Sequence, residues 1–281
     1  MNYNGFFLFF ILQIKNRFKS HNISAFSAQI AYFFLLSFFP FLIFLIAVLS
    51  YFSVSFDGAI DILAKVVPNE VTILIKDYVR ALMPTRSINV LSVSFFATIW
   101  AASRGVDAFI VSLNNSYEIK EGRNFLFKKL LAMIYTILVA LSICLALVIP
   151  NMGMDFLLWV SKYIEITYYF IKVWYYIRWI IIISILILVL GSLYYIAPNK
   201  KIKLIEIIPG TLFATFGWII ISIGFSFFVN NFKNFTIVYG SLAAVIVLMI
   251  WLYLSAIILM LGGEINSICS LYKKIHKLTN E

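Results

Sequence analysis

The sequence predicts an all-α fold: a polytopic membrane helix bundle with six transmembrane helices and further amphipathic helices at the membrane interface. Hydrophobic residues make up 63% of the 281 residues and charged residues only 12%, whereas soluble domains are about half apolar and about a quarter charged. Six apolar segments reach the length of about 20 residues that a helix needs to cross a bilayer core. The segments are continuously apolar rather than alternating, which favours helices over barrel strands. This composition excludes a soluble enzyme and a disordered chain.

The six predicted spans form a single integral membrane domain over residues 1–281. They cover about residues 28–52, 88–113, 129–150, 174–198, 205–229 and 238–263. Pro150 and Pro198 are expected to end the third and fourth spans, and Pro209 to lie in the first turn of the fifth, where proline is tolerated.

Three segments outside the spans are predicted to lie along the membrane interface. Residues 56–87 show helical apolar spacing and predict one or two amphipathic helices divided near Pro68. Residues 151–173 are rich in aromatic side chains, as interfacial segments are. Near the N-terminus, an apolar stretch is followed by Lys15, Arg17 and Lys19, which predicts an interfacial helix with its bases among the headgroups.

The distribution of basic residues predicts the orientation. With the N-terminus in the cytoplasm, the inner segments hold 14 lysines and arginines and the outer segments 8, which favours both termini in the cytoplasm. The net charge of +10 then reflects cytoplasmic loops and anionic lipid. We therefore expect membrane lipids as partners and no nucleic acid.

The second span holds an arginine and an acid that indicate a polar site. Arg104 and Asp107 are three residues apart and share a helix face, so they can pair. A charge in lipid is costly, so such residues usually face the bundle or a wet cavity. Ala97, Ala101 and Gly105 form a small-residue stripe for close helix packing. The alternative is a structural pair that snorkels to the inner interface.

Two further groups of residues are candidates for a site. Asn114, Tyr117, Glu118 and Glu121 can lie on one side of a helix and suggest a ligand or ion site, or else an ordinary solvated helix end. Pro40 breaks a hydrogen bond in the first span, and a broken helix can mark a transport path, although proline kinks are also common in spans.

Glu264 ends the sixth span at the inner boundary. Under the predicted topology it lies at the same level as Arg104, and we expect the two side chains to pair if spans 2 and 6 adjoin.

Sequence signatures of catalysis are not found. His21 and His276 lie near opposite ends of the chain, and there is no HExxH, Walker or G-x-S-x-G motif. We predict no catalytic residue, no cofactor and no metal site, and therefore no enzyme.

Three motifs resemble the YihY/BrkB family of membrane proteins. They are residues 27–40 (SAQIAYFFLLSFFP), residues 100–105 (WAASRG) with 114–118 (NNSYE), and residues 239–242 (YGSL) with 264–266 (EIN). The resemblance covers nearly the whole chain and implies a six-helix protein of the bacterial cytoplasmic (inner) membrane. Members of that family have been labelled ribonuclease BN or a serum-resistance virulence factor, and some have been tied to envelope lipid handling. The resemblance therefore implies location and fold rather than one activity.

Three functions are left open. The first is transport or translocation of an envelope-related lipid or small solute along a path built around Pro40, Arg104, Asp107 and Glu264. The second is an envelope scaffold that assembles with itself or with other envelope proteins. The third is a membrane-bound tRNA-processing ribonuclease, which would need paired acids or histidines in an aqueous domain that the sequence does not predict.

Overall fold

A computed structural model describes residues 3–51, 88–160, 168–231 and 242–279 of the chain. Over these ranges the protein is all-helical, which confirms the predicted fold class. Seven α-helices are described: α1 (Tyr3–Ser20), α2 (Ile23–Tyr51), α3 (Ile88–Ser116), α4 (Phe125–Val160), α5 (Tyr168–Ile196), α6 (Leu204–Asn231) and α7 (Ala243–Thr279).

Six of these helices, α2 to α7, are long and apolar enough to cross a membrane, as predicted. The membrane-compatible segments are Ile23–Phe44, Ile88–Ser116, Phe125–Ser142, Trp179–Ile196, Leu204–Val229 and Val245–Lys274. Most helices extend beyond the predicted apolar runs, because a helix satisfies its own backbone hydrogen bonds past the point where its side chains become polar.

Two prolines lie deeper inside their helices than the sequence predicts. Helix α4 continues past Pro150 to Val160, so residues 151–160 belong to this helix and not to an interfacial loop. Apolar residues on both sides of Pro150 favour helix, since backbone groups freed in lipid are costly. Pro209 lies inside α6, in its second turn.

The predicted amphipathic helices of 56–87 and the motif at 239–241 lie outside the described residues.

Helix α3 is central to the arrangement. It packs against α2, α4 and α7, while α6 packs between α5 and α7, and α1 lies against α2 and α7. The beginning of α2, the end of α3 and Glu264 in the C-terminal half of α7 meet on one side of the bundle, since His21 and Ser116 both contact Glu264. We call this the termini side.

Small residues allow α2 and α3 to pack closely. The predicted stripe on α3 faces α2 at Gly105, where an added Cβ atom would lie 3.0 Å from the Phe34 ring and 3.5 Å from the Ile30 carbonyl oxygen. Ala101, one turn earlier, is also buried. The stripe thus has the packing role expected of small residues in membrane helices.

The tightest helix crossing joins α6 to α7. A Cβ atom at Gly210 would overlap the carbonyl oxygen of Gly262, and one at Gly262 would overlap the Tyr194 hydroxyl. The Gly210 amide, directly after Pro209, also donates a hydrogen bond of 2.7 Å to the Asn266 side-chain oxygen. Backbone contact between two helices requires glycine here.

Gly210→Ala is therefore expected to destabilise the protein by about 1–3 kcal/mol or more, because the clash involves backbone atoms that cannot move aside. Thermal unfolding in one detergent, followed by tryptophan fluorescence, measures the change. Gly224→Ala, on the same helix with nothing within 4 Å of its added Cβ, is the control and should be neutral or slightly stabilising. Equal unfolding temperatures for the two variants would contradict the close backbone contact between α6 and α7 at Gly210.

Candidate functional site

A cluster of charged and hydroxyl side chains lies buried on the termini side. The Glu264 cluster consists of Arg17 from α1, His21 from the α1–α2 turn, Ser116 at the end of α3, and Glu264 and Ser267 from α7. Glu264 is 1% exposed and Arg17 is 7% exposed. Charged groups are almost never this buried unless they are paired.

Two left-handed residues shape the turns beside the cluster. Asn22 has a φ of 52° and ends α1, a conformation that asparagine tolerates. Glu118 has a φ of 55°, and the Glu118 and Ile119 amides bond back to the carbonyls of Asn115 and Asn114. This is the Schellman pattern that closes a helix, so the end of α3 is fixed beside Arg17.

Arg17 joins three elements through one guanidinium group. Its Nη1 donates to the Ser116 carbonyl oxygen at 2.8 Å, to the Ser267 hydroxyl at 3.0 Å and to the Glu264 carboxylate at 3.3 Å. Its Nη2 lies 3.4 Å from Glu118, whose side chain is 72% exposed. A cation at the C-terminus of a helix also stabilises the helix dipole, so Arg17 stabilises the end of α3 as well as the buried acid.

His21 and Ser116 complete the environment of the Glu264 carboxylate. His21 Nδ1 lies 2.7 Å from Oε1, and the Ser116 hydroxyl donates to the same oxygen at 2.8 Å. An ionised carboxylate only accepts hydrogen bonds, so Nδ1 of His21 carries the hydrogen in this pair. Both oxygens of Glu264 therefore have protein donors.

A second polar group surrounds the connection after α3. The Asn114 side chain donates to Glu121 at 2.8 Å and accepts from the Asn199 amide at 2.8 Å. Arg123 pairs with Glu121 at 2.9 Å and bonds the Ala197 carbonyl oxygen. Partial burial disfavours the ionised form of Glu121, but the hydrogen bonds and charge of Arg123 outweigh it and lower the pKa of that carboxyl.

Tyr117 lies between the two groups. Its hydroxyl is buried and, among the residues that the structure describes, has no hydrogen-bond partner. Lys200 lies 5.6 Å from the ring centre. Burial, followed by the nearby acids Glu206 and Glu264 and the thiol of Cys269, raises the pKa of Tyr117, so the phenol stays neutral.

An open pocket of about 310 Å³ adjoins the cluster. Its lining residues are Ser20, His21, Asn115, Glu118, Ile119 and Lys120. His21 and Glu118 belong both to the pocket wall and to the contacts of the buried Glu264–Arg17 pair. The pocket therefore borders the contacts of that pair, whereas Glu264 and Arg17 themselves stay buried.

The predicted pair between Arg104 and Glu264 is not formed. Arg104 lies on α3 about 18 Å of helix before Ser116, which contacts Glu264. Arg104 is exposed on the outside of the bundle and stacks over Trp100 at 5.4 Å. The predicted pair with Asp107 is also wrong, because Asp107 pairs with Lys128 at 2.9 Å. The start of α4 approaches α3 at this level and provides the nearer cation.

The other predicted residues are divided between two places. Asn114, Tyr117, Glu118 and Glu264 lie on the termini side, close to one another as described above. Pro40 lies inside α2, about 25 Å of helix from the first residue of that helix. The four residues of the proposed path, Pro40, Arg104, Asp107 and Glu264, are therefore not brought together.

Sequence reasoning missed the partners of Glu264. Arg17 was expected at the headgroups and is buried instead, because α1 packs against α7. The spacing of Arg17 and His21, one helical turn apart, is a signal that could have indicated a shared face. Their partner on α7 could not be identified from spacing, since the contacts join residues 247 apart. No group of three histidine, cysteine, aspartate or glutamate side chains in the described ranges is placed to hold a metal ion.

Arg17→Gln is expected to destabilise the protein by about 3 kcal/mol or more, because it leaves a buried carboxylate short of its cation. Glu118→Gln removes the exposed partner of the same arginine and should change stability by less than about 1 kcal/mol. Thermal unfolding of both purified variants against the parent chain tests this. Equal losses for the two variants would argue against the buried pair.

The family model described as virulence factor BrkB matches residues 14–280. The ribonuclease-like protein YfkH of Bacillus subtilis (strain 168) is 38% identical over 266 residues, covering 95% of this chain and 97% of that protein.

Shorter matches join the chain to other membrane proteins. UPF0761 membrane protein PSHAa0171 of Pseudoalteromonas translucida is 33% identical over 28% of this chain and 26% of its own length. A UPF0761 membrane protein of Alteromonas mediterranea is 36% identical over 30% of this chain and 28% of its own length. No solved structure gives a significant match. With the family model spanning nearly every residue and six membrane-compatible helices in the structure, the chain belongs to the virulence factor BrkB family of membrane proteins.

Proposed function

We propose that this protein moves an envelope-related lipid or small solute across the bacterial cytoplasmic membrane and is not an enzyme. The observation that carries the proposal is the buried carboxylate of Glu264, held by Arg17 and His21 beside an open pocket. Ionisable residues within membrane bundles are costly and characteristically line ion or substrate pathways.

The burial of these charges supports a role beyond stability. A buried ion pair can often be replaced by apolar residues with no loss of stability, so a protein that needed only a rigid bundle would not require one.

Helix α2 contains a point, at Pro40, where it can change its bend. It begins two residues after His21, and Pro40 interrupts its hydrogen bonds further along, because proline has no N–H to donate to the Leu36 carbonyl. A helix fastened at its base and weakened at its middle can change its bend. In this proposal, the Glu264 cluster controls the base of α2, and its release connects the pocket to Glu264.

The scaffold function is the second candidate. One observation favours it: the residues expected to form a transport path are distributed between the termini side and the outer face of α3. A scaffold would use the outer faces of the helices to bind itself or other envelope proteins, and the Glu264 cluster would then only fix the fold.

The ribonuclease function has weaker support. Its support is the ribonuclease-like name of the Bacillus subtilis relative. The carboxylate of Glu264 accepts hydrogen bonds from Arg17, His21 and Ser116, an arrangement that stabilises a buried acid. Cleavage of precursor tRNA by the purified chain with divalent metal would overturn this part of the proposal.

The orientation with both termini in the cytoplasm remains a proposal. A fluorescent protein that folds only in the cytoplasm is expected to fluoresce when fused to either terminus, because six spans return the chain to its starting side and the inner segments carry more basic residues. A fusion at residue 165, in the second outer connection, is the control and should stay dark. Fluorescence from only one terminus would contradict six spans.

A flux assay tests transport. The chain is reconstituted into vesicles that contain fluorescently labelled phosphatidylglycerol, and dithionite added outside bleaches labels that reach the outer leaflet. We expect the parent chain to expose the inner-leaflet label, and Glu264→Gln to slow this exposure about tenfold or more, which corresponds to about 1.4 kcal/mol on the barrier.

Two further variants separate function from stability in this assay. Arg17→Met with Glu264→Met removes both charges without leaving one unpaired and should stay folded, yet it should lose flux. Lys201→Gln removes an exposed base elsewhere on the termini side and should leave flux unchanged. Flux by the double-methionine variant equal to that of the parent would contradict a functional role for the cluster. A parent chain that matches empty vesicles for lipid and for small solutes would favour the scaffold.

A further inference from the structure

The outer face of the α3–α4 junction carries a basic patch that the Glu264 cluster does not include. The α3–α4 patch consists of Trp100 and Arg104 on α3 and Lys129 on α4. Arg104 lies over the Trp100 ring at 5.4 Å, and the Lys129 ammonium donates to the Ser103 hydroxyl at 2.7 Å. Ser103 directly precedes Arg104, so the two cations are neighbours.

The patch and its surroundings carry more positive than negative charge in the described part of the chain. Asp107 pairs with Lys128 at 2.9 Å and also lies near Lys129, so one acid serves the three bases Arg104, Lys128 and Lys129. Arg104 stacks on an uncharged ring, and Lys129 bonds a neutral hydroxyl. A surface with such an excess of positive charge attracts an anion.

We infer the level of the patch in the membrane from its contacts with α4. Lys128 and Lys129 are the fourth and fifth residues of α4, and they touch Asp107 and Ser103 of α3. Helix α4 begins at Phe125, and the first turn of a membrane-spanning helix lies near the lipid headgroups. Trp100 is also typical of this level, where tryptophan and tyrosine collect.

An apolar strip leads away from the patch along α3. Val93, Phe96 and Trp100 precede Arg104 at spacings of three and four residues, so the four side chains share one face. Val93 and Phe96 are each 69% exposed. Apolar side chains that lead to a cation match the shape of an acyl chain that ends in an anionic headgroup.

We propose that the α3–α4 patch binds the phosphate-bearing headgroup of an anionic phospholipid, with one acyl chain along Val93, Phe96 and Trp100. Arg104 and Lys129 contact the phosphate, and Trp100 packs on the glycerol region. Basic pockets between membrane helices bind anionic headgroups in this way. The apolar strip favours a lipid over free phosphate, since phosphate alone leaves the strip unused. The site is separate from the Glu264 cluster and does not depend on transport.

Native mass spectrometry of the purified full chain tests the site. The chain is titrated with dioleoylphosphatidylglycerol, dioleoylphosphatidylcholine or inorganic phosphate, and the bound molecules are counted. We expect retention of phosphatidylglycerol over the other two. One basic residue near an anionic surface contributes about fivefold in affinity, so Arg104→Gln with Lys129→Gln should weaken the tightest phosphatidylglycerol site about 25-fold.

Matched variants test whether the loss of phosphatidylglycerol binding is specific to the α3–α4 patch. Lys201→Gln with Lys203→Gln removes two exposed bases from the same side of the bundle and should leave the tightest site unchanged. Arg104→Gln alone breaks only the stack on Trp100 and should weaken binding about fivefold, which provides a test if the double variant fails to fold. Equal losses for both double variants, no loss for Arg104→Gln, or equal retention of phosphatidylcholine or phosphate would overturn the proposal.

Discussion

The buried carboxylate of Glu264 is the constraint on which the termini side depends. A carboxylate in an apolar interior is stable only when a cation and hydrogen-bond donors surround it. The donors come from α1, the α1–α2 turn and α3. The acid on α7 therefore requires that these segments meet, and Arg17 at the same time satisfies the Ser116 carbonyl at the end of α3.

Glycine contacts fix the helices beside this cluster. The crossing of α6 and α7 at Gly210 and Gly262 lies next to Asn266, two residues after Glu264. In lipid there is little hydrophobic drive to bring helices together, so close packing and hydrogen bonds decide which helices adjoin. The orientation of α7, and with it the position of Glu264, depends on these contacts.

The protein holds its charges in two different environments. Glu264 and Arg17 are buried and paired, so their charges are compensated within the protein. Arg104 and Lys129 lie at the outer face of the bundle, where the nearby carboxylate of Asp107 is already paired with Lys128. The first arrangement keeps its charges inside the bundle, and the second exposes positive charge that we propose attracts an anion from the membrane.

The sequence by itself determined the fold class, the six membrane spans and the candidate polar residues near the end of α3. These follow from properties that act locally along the chain: apolar length sets a span, and the cost of a charge in lipid marks Arg104 and Glu264 as residues that need an explanation. Only the tertiary structure decided which charged side chains pair with one another. Arg17 and Glu264 are 247 residues apart, and Asp107 pairs with Lys128 across a helix junction rather than with Arg104 on its own helix. Side chains pair with the nearest suitable group in space, and that distance depends on how the helices cross.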